Sequence, residues 1–454
     1  MRRSLLFFVL LAFLVLGAGC GQSSFVAKKF DNFSAYYNTF YNAEKALEEG
    51  IKAADAGQTA QPFNQDLYLP LFGEIQRGTT QRKPFEDAIK KSADILRDHP
   101  DSKWVDDALL VIGKAWFYTQ NYVGAEGKFR EILTLDSRLH DEARFWLART
   151  LIASGQYEAA FDHLQESLNR EEVMRRWEPK LRLALAELHV QRESWDDAAA
   201  ELEVGLEALR DNDLAAHAQF LLGQVYETLG RYEEAVVAYE RVGSFNPIYE
   251  LSYAAKYSAV RVEGEHGDPE AALRKLRKME RDDKNYDHRA ELAYLRGRVF
   301  QATGLYDDAL DVYYELLYNS DANISTILGR THYALGTFYR DVDEDFPYAA
   351  AHFDTARTNL RRAGSRSVVQ GAPAAQPAFA PAAITDGEEQ AGIFGSFARV
   401  MDEIIQMDSL LYLGSLDDST FQEKVLEFRQ ILAEELEAQR REQERLQAQR
   451  QFQA

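Results

Sequence analysis

The chain has 454 residues, of which 46% are hydrophobic, and its 73 acidic and 52 basic side chains give a formal net charge of −21. A dispersed acidic balance excludes a nucleic-acid-binding protein, which needs a basic surface, and the apolar content excludes a chain that is disordered throughout. The single cysteine lies at position 20, so a disulfide framework and a cysteine-based metal site or nucleophile are also excluded.

The first twenty residues have the pattern of a bacterial lipoprotein signal. Arg2 and Arg3 precede the apolar segment Leu5–Leu16, and three small residues lead into Cys20. As a helix this segment would span about 18 Å, which is shorter than the roughly 30 Å hydrocarbon core of a bilayer, so a signal peptide fits better than a membrane span. We predict a signal peptide over 1–19 and lipid attachment at Cys20. The alternative is an ordinary signal cleavage that leaves this cysteine free.

Residues 20–100 have the pattern of an N-terminal helical cap. Apolar residues recur at helical spacing over Phe30–Ala54. A second amphipathic stretch, Pro84–Arg97, opens with proline, which is favoured at the first position of a helix. We interpret the intervening Gly57–Lys83 as a polar loop.

Residues 101–363 contain a repeat of about 37 residues. Its clearest copy, 220–247, resembles the tetratricopeptide repeat (TPR) at consensus positions 7, 8, 11, 20, 24 and 32. These positions are occupied by Leu222, Gly223, Tyr226, Ala235, Tyr239 and Pro247. Position 8 of successive copies is Gly113, Ala148, Ala186, Gly223, Val260, Gly297 and Gly336, and position 20 is Ala125, Ala160, Ala198, Ala235, Ala272, Ala309 and Ala349. Small residues let paired helices cross closely, so we predict an all-α fold, a right-handed TPR-type α-solenoid of about seven repeats.

Two segments follow the array. Residues 364–395 are rich in Ala, Pro, Gly and Gln, which is typical of a disordered linker. Residues 396–454 are predicted to form a C-terminal charged helix, because they become rich in Glu, Arg and Gln toward the end.

No pattern in the chain indicates catalytic chemistry. The nine histidines are scattered without a metal-ligand spacing, and no glycine-rich phosphate loop, nucleophile elbow or calcium loop is present. We therefore expect a protein that is not an enzyme and has no cofactor, metal or small-molecule substrate.

The first helices of the repeats suggest a partner-binding groove. In TPR arrays positions 5 and 9 of these helices point into it, one helical turn apart. Aromatic residues at position 5 and arginines at position 9 predict a site for an extended or helical peptide with acidic groups. The candidate residues are Phe145, Arg149, Phe220, Tyr257, Arg261, Tyr294, Arg298 and Tyr333. The alternative is that position 5 packs against the neighbouring repeat and the arginines pair with local carboxylates.

One N-terminal motif is not a general feature of TPRs. Tyr36-Tyr37-Asn38 and Phe40-Tyr41-Asn42, followed by Trp104, Asp106, Asp107 and Gly113 and by the segment 401–416, resemble the SprE/PorW family of TPR lipoproteins. The resemblance implies an outer-membrane lipoprotein that faces the periplasm and binds channel or motor subunits in type IX secretion and gliding motility. A BamD-like component of β-barrel assembly is the second choice. The alternative for Tyr36–Asn42 is packing within the cap.

Overall fold

The computed structural model of the chain describes residues 39–59, 67–72, 82–170, 173, 175–318, 325–367 and 380–434. The predicted signal peptide, the lipid-attachment residue Cys20 and the motif residues Tyr36, Tyr37 and Asn38 lie outside these ranges. The helices are α1 Tyr41–Thr59, α2 Arg82–Asp98, α3 Val105–Tyr118, α4 Tyr122–Thr134, α5 His140–Ala153, α6 Tyr157–Leu168, α7 Glu178–Gln191, α8 Trp195–Ala208, α9 Asn212–Thr228, α10 Tyr232–Val242, α11 Tyr249–His266, α12 Pro269–Glu280, α13 Arg289–Ala302, α14 Tyr306–Tyr318, α15 Ser325–Asp341, α16 Phe346–Ser367 and α17 Gly387–Ser415.

The predicted fold class, an all-α TPR-type solenoid, is confirmed. From α3 to α14, consecutive helices pack on one another, and first helices of successive repeats also contact each other in the pairs α3–α5, α5–α7, α9–α11 and α11–α13. The chain divides into two compact units, 1–327 with 361–385 and 328–360 with 386–454. The first unit contains the cap and the six helix pairs of α3–α14, where the candidate groove lies.

Residue sizes at positions 8 and 24 are matched within each repeat. Glycine at position 8 faces an aromatic ring at position 24, in the pairs Gly113–Phe129, Gly223–Tyr239, Gly297–Tyr313 and Gly336–Phe353. A Cβ atom on these glycines would lie 2.4–2.8 Å from the ring. Where position 8 is larger, position 24 is leucine, in the pairs Ala148–Leu164, Ala186–Leu202 and Val260–Leu276. The position-20 alanines are all buried, so the small residues do permit the close helix crossing that the sequence predicts.

The cap contains the two predicted helices with different bounds. α1 and α2 pack on each other and on α3, and Phe85 lies over Gly50, where an added Cβ would be 2.7 Å from the ring. α1 continues to Thr59, because the alanine-rich residues 53–56 favour helix. The interpretation of 57–83 as a polar loop is therefore corrected at both ends, where 57–59 belong to α1 and 82–83 to α2, and also at the apolar residues 67–72, whose contacts are described below.

The C-terminal boundaries also differ from the prediction. α16 continues to Ser367 and α17 begins at Gly387, so helix extends into both ends of the predicted linker 364–395. Ala and Gln favour helix, and two glutamates in the first turn of α17 suit the positive end of the helix dipole. The predicted single helix of 396–454 is interrupted after Ser415. Asp417 caps a second helical stretch, 418–434, by accepting hydrogen bonds from the Ser419 and Thr420 amides, both at 3.1 Å.

The last two helical stretches expose an apolar stripe. On α17, Val400, Ile404, Met407 and Leu411 are spaced four, three and four residues apart and are 48–70% exposed. This spacing is typical of helices that pack against another helix. No helix in the described ranges has an apolar run that would reach across a lipid bilayer.

Candidate peptide-binding groove

The position-9 side chains of the second, third and fourth repeats line one surface, which we call the groove. Arg149, Glu187 and Gln224 project from α5, α7 and α9, the first helices of these repeats. All three bind the same short segment of the chain, residues 67–72, which we call the strap. The strap belongs to the connection between the two cap helices, about 80 to 150 residues away in sequence from the helices it contacts.

Gln224 binds the strap as a neighbouring β-strand would. Its Oε1 accepts a hydrogen bond from the Leu69 amide at 2.9 Å, and its Nε2 donates to the Leu67 carbonyl, also at 2.9 Å. In an extended chain these two backbone groups point to the same side. One amide side chain therefore pairs with a donor and an acceptor of two half-buried residues.

The next two position-9 residues continue this backbone recognition. The Leu71 amide donates to Glu187 Oε1 at 3.3 Å, and Arg149 Nη2 donates to the Phe72 carbonyl at 2.8 Å. Pro70, between Leu69 and Leu71, has no amide hydrogen that would need an acceptor. The four hydrogen bonds therefore hold a backbone and select few side chains.

Side chains of the strap fill apolar sites on either side of these hydrogen bonds. Tyr68 stacks on Trp195, with 4.9 Å between ring centroids, and its hydroxyl forms a short hydrogen bond with Thr228 Oγ1. Leu71 is buried, and Phe72 packs edge-on against Phe145 at 5.1 Å. Burial raises the pKa of Tyr68 to about 12. The hydrogen bond with Thr228 opposes this shift, and the negative charges of nearby glutamates add to it.

Arg149 lies among aromatic rings. Its Cζ atom is 4.6 Å from the ring centroid of Trp146, 4.8 Å from that of Phe117 and 5.1 Å from that of Phe72. Aromatic faces attract a cation without placing a carboxylate beside it. The guanidinium is thereby oriented so that it donates to the strap carbonyl.

The position-9 arginines of the next two repeats have different neighbours. Arg261 Nη2 lies 2.7 Å from Glu227 Oε2, and Arg261 Nη1 lies 3.4 Å from Glu265. Arg298 Nη2 is 2.8 Å from Glu265 Oε1, and the Tyr239 hydroxyl donates to Glu227 at 3.1 Å. We call these five residues the ion network.

Burial and charge oppose each other in the ion network. Burial alone would lower the pKa of Arg261 and raise that of Glu265. The charges dominate, since Glu227 and Glu265 raise the arginine pKa, and Arg298 and Arg261 lower the pKa of Glu265. Arg261, Glu265 and Arg298 therefore remain charged at neutral pH, and these charges are compensated within the array.

The predicted groove residues divide between these two regions. Arg149 and Phe145 contact the strap, whereas Arg261 and Arg298 contact carboxylates, as in the alternative interpretation. Phe145, Phe220, Tyr257 and Tyr294 are buried, and Tyr333, in the second unit, donates to Asp386 at 2.6 Å. Binding of a partner by these eight residues stays a prediction.

Sequence reasoning overlooked the strap itself. Glu187 and Gln224 occupy position 9 but are neither aromatic nor cationic, so they did not stand out as binding residues. The overlooked signal is the run Leu67–Phe72, six apolar residues inside a connection that is otherwise polar. An apolar run of this kind needs a covering surface.

The motif residues that the structure describes lie in the cap. Phe40 is buried and stacks on Trp104 at 4.9 Å between centroids, so the two N-terminal segments of the family resemblance meet there. Tyr41 is half exposed, and Asn42 is exposed at the start of α1. Across the described ranges, no group of three or more His, Cys, Asp or Glu side chains could hold a metal ion.

Comparison with known proteins gives limited similarity. The family model for the T7SS, ESX-1 secretion system protein EccA1, N-terminal domain, matches residues 123–314. No curated protein sequence matches the chain.

Solved structures with similar helices share 14% identity with this chain. One is a tetratricopeptide repeat protein from Parabacteroides merdae, for which the match covers 56% of this chain and 92% of that chain with a TM-score of 0.40. Another is the apo form of RapI, with 72% of this chain and 99% of that chain covered and a TM-score of 0.42. A third is a Rap protein complexed with competence and sporulation factor, with 71% of this chain and 99% of that chain covered and a TM-score of 0.32. The chain's own helix pairing, repeat spacing and matched positions 8, 20 and 24 identify it as a tetratricopeptide-repeat protein, a fold used for protein-interaction scaffolds.

Proposed function

We propose that this chain is a periplasmic scaffold, anchored to the outer membrane by lipid on Cys20, which binds partner proteins during type IX-like secretion and gliding motility. The observation that carries the scaffold role is the groove. Arg149, Glu187 and Gln224, on three successive repeats, together hydrogen-bond the backbone of the strap. Such a ladder is suited to capturing a segment of another protein.

The envelope setting has separate support. The basic, apolar and small-residue pattern that ends at Cys20 supports a lipid anchor, and two or more acyl chains give stable membrane attachment. The resemblance of Tyr36–Asn42 and of the segment around Trp104 supports the type IX assignment. The family-model match concerns a protein of a different secretion system, and we draw on it only as a second association of this fold with secretion.

A depletion strain tests the proposal. We expect loss of secreted cargo from the culture medium with normal β-barrel content in the outer membrane, as measured by comparative proteomics. Complementation with the unaltered chain should restore secretion, and Cys20→Ser should release the protein from membrane fractions. A general fall in outer-membrane β-barrels would instead contradict the secretion role and favour the BamD-like alternative.

A further inference from the structure

We infer that the groove binds an extended apolar and aromatic segment of a protein partner, and that the strap is an internal substitute which this segment displaces. The inference rests on the proposed scaffold role and adds the chemistry of the partner. It replaces the acidic peptide expected from the position-9 arginines with an apolar one.

The geometry of the strap defines what the groove accepts. All four hydrogen bonds from Arg149, Glu187 and Gln224 go to backbone atoms, so they are available to any extended segment. Selectivity then comes from the two aromatic sites, which hold Tyr68 and Phe72, four residues apart. A partner segment with two aromatic residues at this spacing, and apolar residues or proline between them, would reproduce these contacts.

Charge disfavours an acidic ligand. Glu187 lies in the groove, and the charge of Glu193 adds to the effect of burial in raising the pKa of Tyr68. Arg149 is held among aromatic rings and donates to a carbonyl, while Arg261 and Arg298 are compensated by glutamates. A carboxylate in the ligand would therefore meet more negative than positive charge.

The position of the strap makes displacement feasible. The two cap helices pack on each other through Gly50 and Phe85, and on α3, without using strap residues. The strap is also tethered, and a short tether gives an effective concentration on the order of millimolar. Against a free peptide that binds with a Kd of about 100 μM, this competition would weaken apparent binding roughly tenfold or more.

Fluorescence anisotropy with a labelled peptide of residues 65–74 tests the inference on the full chain. We compare the unaltered chain with a variant in which 67–72 is replaced by six Gly and Ser residues. We expect the replaced chain to bind the peptide at least tenfold more tightly. A matched control with the same replacement at 76–81 should bind like the unaltered chain.

Two altered peptides test the chemistry. Replacing the residues equivalent to Tyr68 and Phe72 by Ala, or those equivalent to Leu69 and Leu71 by Glu, should each weaken binding to the replaced chain at least tenfold. Three results would each overturn the inference. The first is equal binding of the peptide to both chains, and the second is tighter binding of the Glu peptide. The third is no binding by a replaced chain that retains the circular dichroism and urea transition of the unaltered chain.

A measurement on the unaltered chain covers the case in which the replaced chain does not fold. Hydrogen exchange of strap amides should be slow, and an excess of isotopically labelled 65–74 peptide should accelerate it at least fivefold. Unchanged exchange would overturn the inference. These measurements do not depend on secretion. Absence of peptide binding would refute this inference, whereas unchanged secretion in the depletion strain would refute the proposed function, so the two failures are distinguishable.

Discussion

In the groove, position 9 of the repeat binds the backbone of the strap. In the ion network the same position binds carboxylates of the preceding repeat and, for Arg261, also one on the next turn of its own helix. Arg149 and Arg261 are equivalent by repeat register, and they differ in what the preceding repeat offers. That repeat presents Phe117 to Arg149 and Glu227 to Arg261. A guanidinium held against aromatic rings can donate to a backbone carbonyl, as Arg149 does to Phe72, whereas Nη2 of Arg261 is directed at Glu227.

Position 12 of the repeat accounts for this difference. It is apolar in the first three repeats, as Phe117, Ile152 and Val190, and it becomes Glu227 in the fourth. In the fifth repeat the equivalent carboxylate is Glu265, which lies at position 13. Two adjacent stretches of one array therefore make different contacts, one with the backbone of the strap and one with buried carboxylates, through a small change in the residues behind position 9.

The largest expected effect is in the ion network. Glu265→Ala leaves Arg261 and Arg298 without a shared carboxylate at a buried site, so we expect a loss of about 3 to 5 kcal/mol in unfolding free energy. Urea denaturation followed by circular dichroism measures it.

The exposed Glu270 provides the control for this change. It lies 3.7 Å from Arg274 with both side chains largely in solvent, so Glu270→Ala should change stability by less than about 0.5 kcal/mol. Equal losses for the two variants would contradict the role given to the network.

A second change tests the packing beneath the network. Gly297→Ala places a Cβ 2.4 Å from the ring of Tyr313, which must shift, and overpacking of this kind costs about 1 to 3 kcal/mol. Adding Tyr313→Leu reproduces the Ala–Leu pairing of the second and third repeats and should recover some of the loss. Urea transitions of the single and double variants measure this, and a double variant less stable than Gly297→Ala would refute the matching of positions 8 and 24.

A third change acts on the groove alone. Gln224→Met keeps side-chain volume but removes both hydrogen bonds to the strap, so we expect docking of the strap to weaken by about 1 to 2 kcal/mol. Hydrogen exchange of the strap amides should accelerate about five- to thirtyfold, while that of α11–α13 stays the same. Gln156→Met, at an exposed turn, is the matched control. Faster exchange in both regions would show that they are not independent.

The sequence predicted the array well because its signal is local and repeated. Small residues at positions 8 and 20 recur at fixed offsets, and each repeat needs only its neighbours to fold. The contact between Gln224 and Leu69 joins residues 155 apart and has no periodic signature. Pairing of the position-9 arginines with carboxylates was expected only as an alternative and without naming Glu265 as the partner of Arg298. No local pattern shows which charge a side chain in the next repeat will reach.

The smallest expected effect separates the two regions by pH. The pKa of Glu265 is lowered in the folded chain, since the attraction of Arg298 and Arg261 outweighs burial, so its contribution to stability is fully present well above its unfolded pKa of about 4.5. That contribution declines as the pH falls toward the lower, folded pKa. By pH 4 the loss is at most about 1 kcal/mol and should appear as faster hydrogen exchange, corrected for the intrinsic rate, in α11–α13. Glu265→Gln should abolish this component of the acid response, because the glutamine does not titrate. Leu67 and Leu69 of the strap are held by the amide of Gln224, which carries no titrating group, so exchange of the Leu69 amide should respond less. An equal response there would mean that docking of this part of the strap depends on the charges of the ion network.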